Sequence, residues 1–324
     1  MMEQFWNWLG PLWQALAASF QAFIQPKSRI FLPYLLSALV LAALFYAITN
    51  KRAGKDWKTS MRQLFTKDLW WHPSARVDYG LLFVNNLIRI VLITPYLLAH
   101  LAFAYTIVRT WESCLGYQEP LAWSPWTINL SYTILFLLVA DFSRFLWHYC
   151  LHRVPFLWEL HKVHHAAEVM TPLTLYRIHP IEYFLFRLRS LLVFGVVSGS
   201  FFFWFRTQIE PWTILNIHGG IFLFNVLGAN LRHSPVPLSY GKRLERFFIS
   251  PAQHQLHHSQ APAHHNKNFG SLFAFWDGLF GSLLLSQPKE HLNFGIEPQE
   301  QLAYKNLWQN LWTPIQRLFL KKKS

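Results

Sequence analysis

Long apolar stretches constrain the fold of this chain more than any other feature. Residues 30–49 contain no charged side chain, and about 20 such residues in a helix cross the hydrocarbon layer of a bilayer. Further apolar runs cover 127–147, with Asp141 and Arg144 near its end, 183–205, with Arg187 and Arg189, and the charge-free 211–231. A longer one, 80–108, holds a single charge, Arg89, with Pro95 near its middle. Residues 183–205 and 211–231, joined by a short link with Arg206 and Glu210, read as a helical hairpin. Residues 5–24, aromatic and broken at Pro11, suit an amphipathic helix in the interface rather than a signal peptide. Only 14% of the residues are charged, against roughly 25% in soluble domains. That excludes an ordinary soluble globule, and 18% aromatic content excludes disorder. The expected fold is all-α and integral to the membrane, with about four to six transmembrane or re-entrant helices.

The net charge of +13 lies between the apolar runs. The 51–76 loop holds Lys51, Arg52, Lys55, Lys58, Arg62, Lys67 and Arg76, whereas 109–126 holds Arg109 against Glu112 and Glu119. The positive-inside rule makes the first loop cytoplasmic. Following the spans forward puts 148–182, and everything from 232 to Lys321, Lys322 and Lys323, on the same side. No basic stripe or binding motif points to nucleic acid. The chain divides into an N-terminal segment with the first span and basic loop (1–79), a central body (80–285) and a basic tail (286–324).

Sixteen histidines are the second constraint. His148 and His152 form HxxxH; His161, His164 and His165 form HxxHH; so do His254, His257 and His258. On a helix, residues at i, i+3 and i+4 share a face, so each box aligns its imidazoles on one stripe. Pro155 breaks the helix between the first two boxes, which lets them fold back and face each other. Neutral imidazole is a good ligand for iron, zinc, copper or nickel. Eight of them suffice for two metal ions with four nitrogens each. The two cysteines, Cys114 and Cys150, make neither a disulfide framework nor a CxxC site. HExxH is absent, which excludes a zincin protease, and so is the ExxH pattern of soluble di-iron bundles. An all-histidine site at a membrane surface suits a redox-active metal pair that uses dioxygen on an unactivated C–H bond.

The segments Asp141–Met170, Tyr176–Glu182, Ser250–Ser259 and Asn268–Leu284 resemble the fatty acid hydroxylase superfamily, which includes sterol desaturases and alkylglycerol monooxygenase. The resemblance covers about residues 80–285. It implies a cytoplasmic helical cap carrying a di-iron centre, O2 as oxidant, hydroxylation or desaturation of a sterol, fatty acyl or ether lipid, and a separate electron-transfer protein. That protein would be a b-type cytochrome or a ferredoxin with its reductase; no GxGxxG fingerprint is present in this chain. It also implies His148, His152, His161, His164, His165, His254, His257 and His258 as ligands, with His233 added from the stretch between the second and third boxes. His218, His179 and Asp141 are further candidates. His218 has a hydrogen-bonding role as its alternative, His179 a structural link to the membrane helix, and Asp141 the orientation of a ligand. Glu168 and Glu182 are candidate acceptors for imidazole N–H groups, and Asp277 is expected to hold a turn. His264 and His265 read as surface loop; His72, His100 and His291 stand apart. Two rival readings remain: a zinc-dependent membrane hydrolase and a non-catalytic metal-binding membrane protein.

Overall fold

The structure, a computed structural model, describes all residues except 1, 53, 55, 94–98, 208, 215–216, 288–291 and 321–324. Pro95, Lys55, His291 and the lysines of the tail therefore lie outside the described residues. Among the described residues the regular structure is helical apart from a two-residue antiparallel pair, Thr213–Ile214 with Ile217–His218. Among the described residues three helices are long and apolar enough to cross a membrane: α2 (Leu32–Arg52), α7 (Pro125–Arg153) and α9 (Pro180–Phe205). The others in the apolar layer are α1 (Met2–Gln21), α5 (Pro73–Ile88), which runs into a π-helical turn at Arg89–Ile93, and α6 (Ala99–Leu115). Short α3 (Trp57–Gln63) and α4 (Lys67–Trp70) fill the basic loop.

Local chemistry sets the boundaries. Ser124 caps α7 by accepting from Thr127 N at 3.2 Å, with Pro125 in the first turn. The 29 residues of α7 span about 43 Å at 1.5 Å per residue, more than the roughly 30 Å of hydrocarbon. Its last turns, which carry His148 and His152, thus have length to spare beyond an apolar layer. Pro155 has no backbone N–H and pushes Val154 into extended geometry (φ −97°, ψ 114°). The chain turns there into α8 (Pro155–His165), and the two histidine stripes come face to face. α9 packs along α6 through Gly195 and Gly199, four residues apart. A Cβ on Gly199 would stand 2.5 Å from the carbonyl oxygen of Ala104, the close backbone approach that small residues permit between membrane helices. Leu32, Leu36, Val40, Leu44 and Ile48 form an exposed i, i+4 stripe along α2, as a lipid-facing surface would.

The expected hairpin of two full spans is corrected on its second leg. Among the described residues, 211–231 hold one α-helix of eight residues, α10 (Gly219–Val226), before a 3-10 turn at Ala229–His233. Pro211, the adjacent Gly219 and Gly220, and Gly228 at φ 98° interrupt the helix. This leg still joins the two ends of the apolar layer: His218 contacts Thr133 of α7, and His233 reaches the histidine boxes. Beyond it come α11 (Gly241–Leu244), α12 (Pro251–His257), α13 (Phe275–Leu279), α14 (Pro298–Gln301) and α15 (Leu307–Leu320). The C-terminal helices return to the histidine layer. Val163 and Ala166 pack with Val77, Leu81, Ile296 and Tyr304 in one buried cluster.

Candidate metal centre

α12 begins with a reciprocal cap. Ser250 accepts from Gln253 N, and the Gln253 side chain accepts from Ser250 N. That cap, with Pro251 in the first turn, aims His254, His257 and His258 at the α7–α8 corner. Nine imidazoles converge there in two groups. His148, His152, His161, His165 and His257 form the first; His164, His233, His254 and His258 form the second. Within each group one ring nitrogen per residue lies within 4.8 Å of all the others. Eight box histidines shared four and four becomes five and four, because His233 joins and α8 divides its own triplet between the groups.

The ring nitrogens are set up for ligation. His148 Nδ1 meets the Phe269 carbonyl at 2.9 Å, His257 Nδ1 the Lys267 carbonyl at 2.7 Å, and His161 Nδ1 the Glu182 carboxylate at 2.9 Å. In the second group His164 Nδ1 meets the Arg177 carbonyl at 3.2 Å. An acceptor at Nδ1 holds the proton there and leaves the Nε2 lone pair facing the group's centre. All five Nε2 atoms of the first group are buried without a hydrogen-bond partner, an expensive state unless something binds them. In the second group His254 Nε2 sits 3.1 Å from His233 Nε2 and 3.2 Å from His258 Nε2. Ligands about 2.1 Å from one ion stand about 3.0–3.4 Å apart, so this spacing fits nitrogens around a metal. Burial, the largest cause, pulls the His233 and His257 imidazoles down to about 3 and holds His164, His165, His254 and His258 well below the ordinary value. Those six imidazoles are therefore neutral near pH 7, the form that ligates metal. The donor set fits two metal ions of the type that imidazole prefers.

The remaining candidates are outside both groups. His179 caps α9 by accepting from Ile181 N, and its Nε2 contacts the Leu311 carbonyl at 3.0 Å, so it links the site layer to the helix. His218 Nε2 meets the Thr133 carbonyl at 2.9 Å, its hydrogen-bonding alternative. Asp141 accepts from Leu272 N, Phe273 N and Trp276 Nε1, so it orients the turn rather than an imidazole. Asp277 accepts from Phe269 N and Gly270 N, both at 2.8 Å, and holds the turn whose carbonyls anchor His148 and His257. That turn closes on Asn268 at φ 57° and leaves no room at Gly270, where a Cβ would stand 2.5 Å from the Phe273 carbonyl oxygen. Glu182 is the anticipated acceptor for an imidazole N–H, that of His161. Glu168 is not: it faces His72 at 4.0 Å, because the chain after α8 turns toward α5. His264 is buried rather than on the surface, whereas His265 is exposed.

Sequence reasoning missed Arg177 and Asp78. Arg177 is fully buried. It donates to the carbonyls of Val163, Ala166 and Ser74 and pairs with Asp78 at 3.2 Å. It thereby locks the end of α8 to α5 while its own carbonyl anchors His164. A lone carboxylate on the apolar helix α5 was the available signal.

Two imidazole groups able to hold metal ions, on an apolar helical scaffold, mark a histidine-rich protein with membrane-length helices. Residues 133–282 match the family model described as fatty acid hydroxylase, and this stretch spans all nine histidines. That match, together with the relatives below, supports the fatty acid hydroxylase superfamily for this stretch of the chain. It is 26% identical over 213 residues to alkylglycerol monooxygenase of Caenorhabditis elegans, covering 64% of this chain and 37% of the relative. It is 31% identical over 172 residues to cholesterol 25-hydroxylase of Rattus norvegicus, covering 52% of each. It is 24% identical over 187 residues to ornithine lipid hydroxylase OlsE of Rhizobium tropici, covering 56% of this chain and 50% of that one. The chain thus spans between about a third and about half of these relatives. No solved structure matches it significantly.

Proposed function

We propose that this chain is a multi-pass membrane di-iron monooxygenase that hydroxylates a lipid, with the nine convergent histidines as its iron ligands. The carrying observation is the two convergent groups: five buried, unpartnered Nε2 atoms in the first, and three Nε2 atoms drawn within 3.1–3.2 Å contacts in the second. The relatives named above act, by their names, on alkylglycerol, cholesterol and ornithine lipid, which favours hydroxylation over desaturation. The overall reaction inserts one oxygen atom of O2 into a C–H bond and reduces the other to water with two electrons and two protons. An external electron-transfer protein supplies the electrons. Iron, when bound, supplies the oxidising power that no side chain has.

The chain's own residues do the rest. The Lys267 and Phe269 carbonyls and Glu182 fix the imidazole tautomers and ring planes. Arg177 and Asp78 hold α8 against α5, so the two groups keep their separation. Burial keeps water from the site and holds His233 and His257 neutral. The apolar helices deliver a lipid from the side, with the histidine layer on the cytoplasmic face and the central body, 80–285, as the catalytic domain.

The test is metal content of detergent-purified protein grown with iron and kept anaerobic, then lipid oxidation with 18O2 and a chemical reductant. About two irons per chain and one labelled oxygen atom in a lipid product are expected. Zinc alone, with reductant-independent lipid hydrolysis, would replace this reading by the hydrolase. Bound metal with no turnover of any lipid class would replace it by a non-catalytic role.

A further inference from the structure

The surface formed by α11 and the turn around α13 has no part in the reading above. Lys242, Arg243 and Arg246 are exposed there, and so are Leu244 and Phe247 between and beside them. The one acid of the segment, Glu245, is buried. Ser239, Ser250 and Ser286 donate hydrogen bonds to it, so it does not offset the cations at the surface. Alongside, Leu279 is 73% exposed and Phe280 45%. The two segments are tied together: Ala274 N donates to the Phe247 carbonyl at 2.8 Å, and Ile249 N to the Leu272 carbonyl at 3.0 Å. A groove between them is lined by Arg246, Phe275, Leu279 and Leu283.

This patch is not isolated. The ring of Phe280 lies 5.0 Å from Phe145 and 6.3 Å from Phe142, both on α7. Phe280 therefore packs directly onto a membrane-length helix, which places Leu279 and Phe280 beside that helix with cations next to them. Large apolar side chains left in water are unfavourable. A surface that combines them with lysine and arginine fits the boundary between acyl chains and anionic headgroups. Packing against α7 favours a bilayer over a soluble protein partner.

We propose that α11 and the α13 turn dock on the leaflet of an anionic phospholipid bilayer. Phe247, Leu279 and Phe280 enter the acyl–headgroup boundary, and Lys242, Arg243 and Arg246 meet lipid phosphates. The turn that anchors His148 and His257 is thereby seated on the membrane from which a lipid would come. The proposal rests on the membrane reading but not on metal or turnover.

It is tested with the full chain in nanodiscs of phosphatidylcholine alone or mixed with phosphatidylglycerol. Cys114 and Cys150 are replaced by serine, and a nitroxide is placed at Leu279→Cys. Collision with O2 and with a nickel chelate reports depth. A label at Val196→Cys, on the exposed face of α9, is the reference for the membrane itself. In anionic discs the Leu279 label is expected to favour O2 over nickel. Replacing Lys242, Arg243 and Arg246 by glutamine should shift it toward water in those discs while leaving the metal content unchanged. A Leu279 label open to nickel in both compositions, beside an immersed Val196 label, overturns the proposal and leaves the patch to a protein partner. So does indifference of the label to the glutamine substitutions. A hydrated Val196 label would instead overturn the membrane reading, and this proposal with it.

Discussion

The two imidazole groups are built from the same kind of side chain but are held differently. In the first, His148, His161 and His257 each lean on an outside acceptor: two carbonyls of one turn and the Glu182 carboxylate. In the second, His164 alone has such a support, the Arg177 carbonyl, and the Nε2 atoms of His233, His254 and His258 crowd one another. The first group is preorganised by protein. The second depends more on an ion to hold its nitrogens together, and on His233 arriving from a distant part of the chain. The preorganised site should keep its metal longer under challenge, because less ordering is lost when an ion leaves.

The largest effect expected is the loss of one ion at a time. His257→Ala should empty the first group and His233→Ala the second, each leaving about half of the bound iron by elemental analysis. If either variant empties both, the division into two groups is wrong. Next is Asp78→Ala, which strands the buried Arg177 charge and should cost about 3–5 kcal/mol. A fall in melting temperature is expected, with metal leaving the second group first, since its only outside anchor is the Arg177 carbonyl. Equal loss from both groups would contradict the asymmetry.

Glu182→Ala removes the first group's one charged support and should weaken that ion by roughly 10–100-fold while sparing the other. Glu182→Gln, which still offers an oxygen to His161 Nδ1, should restore most of it in a chelator titration. The smallest effect concerns the turn. Burial pushes the Asp277 carboxyl up to about 6, above its unfolded value near 3.9. Between those values the folded chain holds a proton that the unfolded chain has released. Its contribution to stability is therefore greatest below about pH 4 and fades as pH rises through about 6. In metal-free protein, Asp277→Asn should flatten that component by a few degrees of melting temperature. An unaltered pH profile would remove Asp277 from this role.

The histidine boxes and the apolar runs were legible because their signals are local. Helical spacing put His148 with His152, and each HxxHH on one stripe, and charge-free length identified α2. Those patterns follow from 3.6 residues per turn and from the thickness of a bilayer, and need no knowledge of the rest of the chain. Pro155 likewise marked the α7–α8 corner, since proline breaks a helix in any context.

Only the tertiary structure decided what lies between. It divided His164 from His165, which point about 100° apart around a helix, and sent His161, which lies between them, with His165. It shortened the 211–231 leg, where glycines and a proline outweigh apolar composition. It sent Glu182 to His161 and Glu168 to His72, and made anchors of the Lys267, Phe269 and Arg177 carbonyls. Backbone carbonyls are the same in every residue, so no side-chain pattern marks the ones a fold will turn inward.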